Sequence, residues 1–217
     1  MPIDQKKIST ASGDVPQVIY VVDDSPDILD VIQVLLSSMN MKVRTFTSGE
    51  AFLAQVDHTA RGCLLLDMRM PGMSGLEVQD ALKDHRISLP VIFLTGHGEV
   101  TVAVQAMREG ALDFIEKPFQ PQLLLDRIHA CLKLDTQVNA DQCKKNEAEK
   151  RLKQLSPREY EIAKLIVAGK PSKVIASALG ISEKTVDVHR HKIMKKVSLR
   201  SVAELVQLWL ETKQEIA

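Results

Sequence analysis

Apolar positions follow two regimes along the chain. Up to about residue 134, short apolar runs alternate with stretches of helical periodicity. Val18-Ile19-Tyr20-Val21-Val22 ends in Asp23-Asp24, Cys63-Leu64-Leu65-Leu66 ends in Asp67, and the run from Pro90 to Leu94 ends in Thr95. A shorter run, Asp113 to Glu116, leads into Lys117-Pro118. Apolar runs of this length, closed by Pro and Gly, predict buried parallel strands. Helical spacing predicts helices at Pro26–Met39, Ser48–Val56, Ser74–Arg86, Glu99–Glu109 and Pro121–Leu134, with Ser74 and Glu77 as a capping box. Strand–helix alternation argues an α/β fold with a parallel, doubly wound sheet.

Beyond residue 153 the pattern is helical throughout. Ser156 caps a helix with Pro157 at its first position and Glu159 closing the box, and Leu155 with Tyr160 is placed as a hydrophobic staple. Ile162, Leu165 and Ile166 form its apolar face up to Gly169. A second helix, Pro171 to Leu179, turns Ile175, Ala178 and Leu179 inward, and Gly180 supplies a tight turn. Ser182 caps a third helix that reaches about Val197, and Ser201 with Glu204 caps a fourth whose stripe is Val202, Leu205, Val206 and Trp209. Helices two and three make a helix-turn-helix. The chain thus divides into a tail (1–16), an α/β domain (17–134), a polar, semi-rigid linker expected to be helical (135–153) and an all-α domain (154–217).

Composition and charge sharpen this division. The 217 residues carry no net charge, yet residues 16–134 hold 10 basic and 15 acidic side chains, a net of −5. Residues 150–217 hold 14 basic and 7 acidic ones, a net of +7, which fits a polyanion binder. An apolar fraction of 45% fills real cores, and no window resembles a membrane span or a signal peptide. Cys63, Cys131 and Cys143 are odd in number, lack metal spacing and suit a reducing cytosol.

The predicted strand ends gather the chemistry. Strand C-termini of an open α/β sheet line the edge where ligands bind. Asp23, Asp24, Asp67, Thr95 and Lys117 converge there. Singly, each has a bland reading: an Asp caps a helix, a Thr closes a strand, a Lys is a solvated charge, and Phe114 is core. Their joint occurrence at successive strand ends favours a site. Clustered carboxylates repel unless a cation neutralises them, and an all-oxygen set suits a hard divalent ion such as Mg²⁺, with Mn²⁺ as an alternative.

This constellation resembles the receiver domain of bacterial two-component response regulators, over about residues 17–134. The runs Asp67-Met68-Arg69-Met70-Pro71-Gly72-Met73-Ser74-Gly75, Thr95-Gly96-His97-Gly98 and Asp113-Phe114-Ile115-Glu116-Lys117-Pro118-Phe119 are similar to the FixJ subfamily. The resemblance implies a five-stranded, flavodoxin-like sheet with Asp67 as phosphoacceptor. It implies Mg²⁺ on Asp23 or Asp24, Asp67 and the Arg69 backbone carbonyl. Thr95, Phe114 and Pro118 become the switch residues, Lys117 neutralises the phosphoryl group, and the Lys117-Pro118 bond is expected to be cis.

Residues 155–211 resemble the LuxR/FixJ-type DNA-binding domain through Leu155-Ser156-Pro157-Arg158-Glu159, Gly169 to Ala176, and Ile181 to Arg190. On the third helix Val186, His189/Arg190, Ile193 and Val197 share an inward face. Lys184, Asp187, Val188, His191, Lys192 and Lys195 share the opposite one and enter a major groove on this reading. Thr185 and Arg190 complete the candidate DNA-contacting set. Asp187 stands where several family members carry a basic, base-contacting residue, and an acid there accepts from cytosine N4 or orients a neighbouring lysine.

The reading is a NarL/FixJ-type transcription regulator, phosphorylated on Asp67 by a sensor histidine kinase. The implied partners are double-stranded DNA, a second copy on phosphorylation, and RNA polymerase, in the cytoplasm. Chemistry is expected to be confined to self-phosphorylation and slow dephosphorylation of Asp67. Two rivals are a DNA-binding protein whose receiver is a phosphate-independent dimerisation or ligand-binding module and a Mg²⁺-dependent phosphatase with Asp67 as nucleophile. The complete acid, Thr and Lys set argues against the first, and the lack of a second proton-transferring acid against the other. No Gly-Lys-Ser/Thr phosphate loop is present, which excludes an ATPase of that type.

Overall fold

The computed structural model describes residues 15–96, 107, 108 and 110–212. Five strands, β1 (Val18–Val22), β2 (Val43–Phe46), β3 (Gly62–Asp67), β4 (Val91–Thr95) and β5 (Asp113–Glu116), form one sheet in the order β2-β1-β3-β4-β5. Every neighbouring pair is parallel. That is the flavodoxin-like order, whose direction of winding reverses between β1 and β3. The alternation of side chains along a strand then builds two cores. Tyr20, Val22, Leu64 and Leu66 face one side with Phe52, Val78 and Leu82. Ile19, Val21, Cys63 and Leu65 face the other with Leu29, Ile32, Leu36, Leu124 and Ile128.

Helices α1 (Pro26–Ser38), α2 (Gly49–Leu53) and α3 (Gly75–Asp84) lie within a residue or three of the predicted bounds. The capping box of Ser74 and Glu77 is formed, with both reciprocal bonds. Ser25 is the N-cap of α1, but its side chain makes no capping bond; instead its N–H donates to Asp23 Oδ1 at 3.0 Å. The expected helix Glu99–Glu109 falls almost wholly outside the described residues, of which only Met107 and Arg108 are helical there.

The helix that begins at Pro121 does not stop at Leu134. It continues to Leu152 as α4 (Pro121–Leu152), 32 residues long. By its contacts the chain divides into residues 1–137 and 138–217. In the first unit α4 buries Leu124, Leu125, Ile128 and Cys131. Its polar middle is solvated and carries exposed pairs such as Lys144–Asp141 and Arg151–Glu147. In the second unit Ala148 and Leu152 are buried.

The second unit adds α5 (Pro157–Val167), α6 (Ser172–Leu179), α7 (Glu183–Lys196) and α8 (Val202–Glu211) around one core. Ser156 and Glu159 form the capping box of α5, and Ser182 accepts from Thr185 N–H at the start of α7. Gly180 closes α6 in the left-handed conformation, φ 64°, which glycine adopts without a Cβ penalty. Val186, Ile193 and Val197 are fully buried, as their spacing predicts. Two predicted stripes differ in detail. On α6 the buried pair is Ile175 and Ala176, while Ala178 is exposed. On α8 the buried set is Leu205, Leu208 and Trp209, while Val202 is 37% exposed, because the helix enters the core one turn later than its apolar run begins. No helix among the described residues is long and apolar enough to cross a membrane.

Candidate functional site

Three successive structural choices bring the acids together. β1 and β3 are adjacent and in register, Val22 opposite Leu66, so the residues that follow them, Asp23 and Asp67, share the C-terminal edge of the sheet. Asp67 is the last residue of β3, and its backbone is approached closely by Gly75 at the start of α3. A Cβ at Gly75 would lie 2.3 Å from the Asp67 carbonyl oxygen, so a side chain there forces the strand end to move. Asp23 is fully buried, Asp67 is 7% exposed, and Asp24 is exposed. Oxygen atoms of the three carboxylates lie within 4.8 Å of one another.

Lys117 answers that concentration of negative charge. Its Nζ donates to Asp23 Oδ2 and to Asp67 Oδ1, both at 2.6 Å. Burial pushes the Asp67 carboxyl above the ordinary carboxylate range; the Lys117 hydrogen bond opposes this, and the Asp23 and Asp24 charges add to it. Burial disfavours the Lys117 ammonium, yet the bonds to Asp23 and Asp67 outweigh it and raise its pKa. The peptide bond Lys117-Pro118 is cis. Thr95, the last residue of β4, is 3% exposed and its carbonyl accepts from Lys117 N–H at 2.7 Å. Phe114 on β5 is 39% exposed, so its ring is turned outward, not inward.

The donor set fits a hard divalent cation. Buried Asp23 and Asp67 already share one cation, Lys117, and exposed Asp24 completes an all-oxygen cluster open to solvent. Arg69, two residues past the strand, is exposed in the following turn.

In the second unit α7 displays Lys184, Val188, His191, Lys192 and Lys195 to solvent. The other candidates have different surroundings. The Thr185 hydroxyl lies 2.8 Å from Ser182 Oγ within the cap, and half-buried Arg190 and exposed Asp187 both bond Ser172 on α6. Lys196 is taken by buried Glu159 at 2.6 Å, and this bond, with those from Ser156, holds the Glu159 carboxyl down to about 2. Ser172 and Glu159 were not among the predicted site residues. Only the helix-start position of Ser172, facing the acid and arginine spaced three apart on α7, could have pointed to it.

A response regulator receiver domain pattern matches residues 19–129, and that of the bacterial regulatory proteins of the luxR family matches residues 153–209. The chain belongs to the two-component response regulators that join a receiver to a LuxR-type helix-turn-helix; it is a phosphorylation-dependent transcription regulator. It is 40% identical over 204 residues to response regulator protein TodT of Pseudomonas putida, covering 94% of this chain and 90% of that one. It is 39% identical over 192 residues to transcriptional regulatory protein FixJ of Rhizobium meliloti, covering 88% and 94%. The solved structure of response regulator StyR superposes with a TM-score of 0.80 at 39% identity, covering 90% of this chain and 98% of that one. Receiver domains generally depend on Mg²⁺, and the family implies a sensor kinase and DNA as partners.

Proposed function

We propose that Asp67 accepts a phosphoryl group from a sensor histidine kinase and that α7 then reads promoter DNA as part of a dimer. The observation that carries this reading is Lys117, bonded at 2.6 Å to both Asp67 and Asp23 at one sheet edge. An Asp67 carboxylate oxygen attacks the phosphorus of the donor phosphohistidine; the P–N bond breaks and an acyl phosphate forms. Such transfer is largely positioning and charge neutralisation. The Lys117 ammonium, already on Asp67 Oδ1, is within reach of the incoming phosphoryl oxygens. Asp23 or Asp24, Asp67 and the Arg69 carbonyl would hold Mg²⁺, which, when bound, neutralises phosphoryl charge.

The added anion draws the Thr95 hydroxyl, and outward Phe114 rotates into the space that Thr95 leaves. This biases a pre-existing equilibrium toward the active form. A surface that includes β5 then carries the dimer contact, and two copies of α7 address two half-sites. The exposed Lys184, His191, Lys192 and Lys195 support the DNA reading. Work on promoters brings RNA polymerase as a further partner, in the cytoplasm. No reaction on a separate substrate is proposed beyond self-phosphorylation and slow loss of phosphate.

Incubation with acetyl phosphate and Mg²⁺, followed by intact-mass measurement and selection from random duplex DNA, tests the reading. One phosphoryl adduct and a defined selected sequence are expected. No adduct, or retention of DNA without sequence preference, overturns it.

A further inference from the structure

The start of α6 touches α7 through one hydroxyl that does two jobs. Ser172 Oγ donates to Asp187 Oδ1 at 3.1 Å and accepts from Arg190 Nη1 at 3.4 Å. A serine hydroxyl has one hydrogen to give and lone pairs to receive with. Both capacities are therefore engaged, one by an acid and one by a guanidinium. Asp187 and Arg190 are three residues apart on α7, so they share a side of that helix. Both lean toward the first residue of α6.

This arrangement resolves an electrostatic conflict on α7. Lys184, His191, Lys192 and Lys195 present basic groups to solvent, whereas a carboxylate among them would repel DNA phosphates. Drawn to Ser172, the Asp187 carboxylate sits near the amino end of α6, where exposed N–H groups favour a negative charge. The same hydroxyl steadies Arg190, whose guanidinium has N–H groups beyond the one given to Ser172. The first helix of a helix-turn-helix crosses the DNA backbone, so its start lies on the phosphate side.

We propose, resting on the reading of α7 as the DNA-reading helix, that Ser172 is a positioning residue. It holds Asp187 away from the base edges and presents Arg190 to a DNA phosphate. Asp187 is then held by Ser172 and is not a reader of cytosine. Arginine suits the task because its planar fork matches phosphate oxygens.

The test uses the full chain, phosphorylated with acetyl phosphate and Mg²⁺, and the duplex that the parent selects from a random-sequence library. Ser172→Ala is expected to weaken binding roughly threefold to tenfold, the scale of one hydrogen bond. Ser172→Thr keeps the hydroxyl and should bind like the parent. In the Ser172→Ala background, Asp187→Asn should regain the part of the loss that the freed carboxylate causes, since none then faces the phosphates. Arg190→Ala should lower the salt slope by about 1. Asp187→Asn alone should select the parent's sequence. Parental affinity in Ser172→Ala, a failure of Asp187→Asn to suppress it, or a changed base in the Asp187→Asn selection overturns the clasp. If Ser172→Ala unfolds early, as the sole tryptophan, Trp209, would report, the selection and salt slope of the other two variants decide it. A parent that retains no duplex overturns the DNA-binding reading itself and the clasp with it.

Discussion

Lys117 and Asp67 are joined by a 2.6 Å hydrogen bond across the end of the sheet, although 50 residues separate them in sequence. The bond places a cation on the carboxylate that the surrounding burial would otherwise push toward its neutral form. Losing either partner therefore has different consequences. Asp67→Asn removes the nucleophile and should abolish the phosphoryl adduct formed from acetyl phosphate; a full adduct in the intact-mass spectrum would show that another residue is the acceptor. Lys117→Ala leaves Asp67 in place but removes the neighbouring charge, and should slow adduct formation by roughly 10²-fold.

Thr95 should separate phosphorylation from its output. Its side chain is buried at the end of β4 while Phe114 points outward. Thr95→Ala is expected to take up phosphate at near the parental level yet dimerise poorly. Light scattering before and after phosphorylation measures this, and parental dimerisation of the variant would remove Thr95 from the switch.

Acid should weaken the helical unit in a defined window. The Lys196 and Ser156 bonds hold Glu159 down to about 2, whereas its ordinary value is 4.5. A carboxylate whose folded pKa is depressed contributes stability above its unfolded pKa and loses it as pH falls. Stability of this unit should thus decline between pH 4.5 and about 2. Trp209 is buried in the same unit and is the only tryptophan, so its fluorescence follows that unfolding. Glu159→Gln should be less stable at neutral pH and should flatten the dependence across that window. An unchanged slope in the variant would assign the acid sensitivity to other groups.

DNA binding by the helical unit should be strongly salt-dependent. Residues 150–217 carry a net of +7, and counterion release makes log affinity fall linearly with log salt. Lys184→Ala or Lys195→Ala should weaken binding across sequences. His191→Ala or Lys192→Ala should cost about 1–3 kcal/mol and relax preference at one base position. Competition titrations against shuffled duplexes distinguish the two behaviours; equal effects on all sequences from every variant would leave α7 a phosphate binder only.

The strand-end residues were legible because Asp23, Asp67 and Thr95 each follow a short apolar run and Lys117 a shorter, mixed one, and a parallel sheet delivers all such ends to one edge. Asp23, Asp67, Thr95 and Lys117 needed no knowledge of side-chain packing to be grouped. Side-chain partners across elements were less accessible. Ser25 sits at a helix start and has the chemistry of a cap, yet Asp23 supplies the local bond instead. Local patterning likewise placed Asp187 on an open groove face, whereas Ser172, 15 residues earlier, takes its carboxylate. The end of the first unit was set at residue 134 because the apolar positions stop there. Long-range polar contacts carry it slightly further.

Those contacts decide where the chain can be cut. At the sheet end opposite Asp67, Asp135 is 2% exposed, pairs with Arg61 at 2.8 Å and accepts from Gln17 at 2.7 Å. An excised receiver ending at Leu134 would lose the Asp135 side chain that Arg61 and Gln17 both bond, and should be less stable than one that keeps it. Three more residues, through Gln137, retain the carboxylate and with it the clamp between the first strand, the third strand and the long helix. A fragment that looks complete by its apolar pattern would thus be a weakened one.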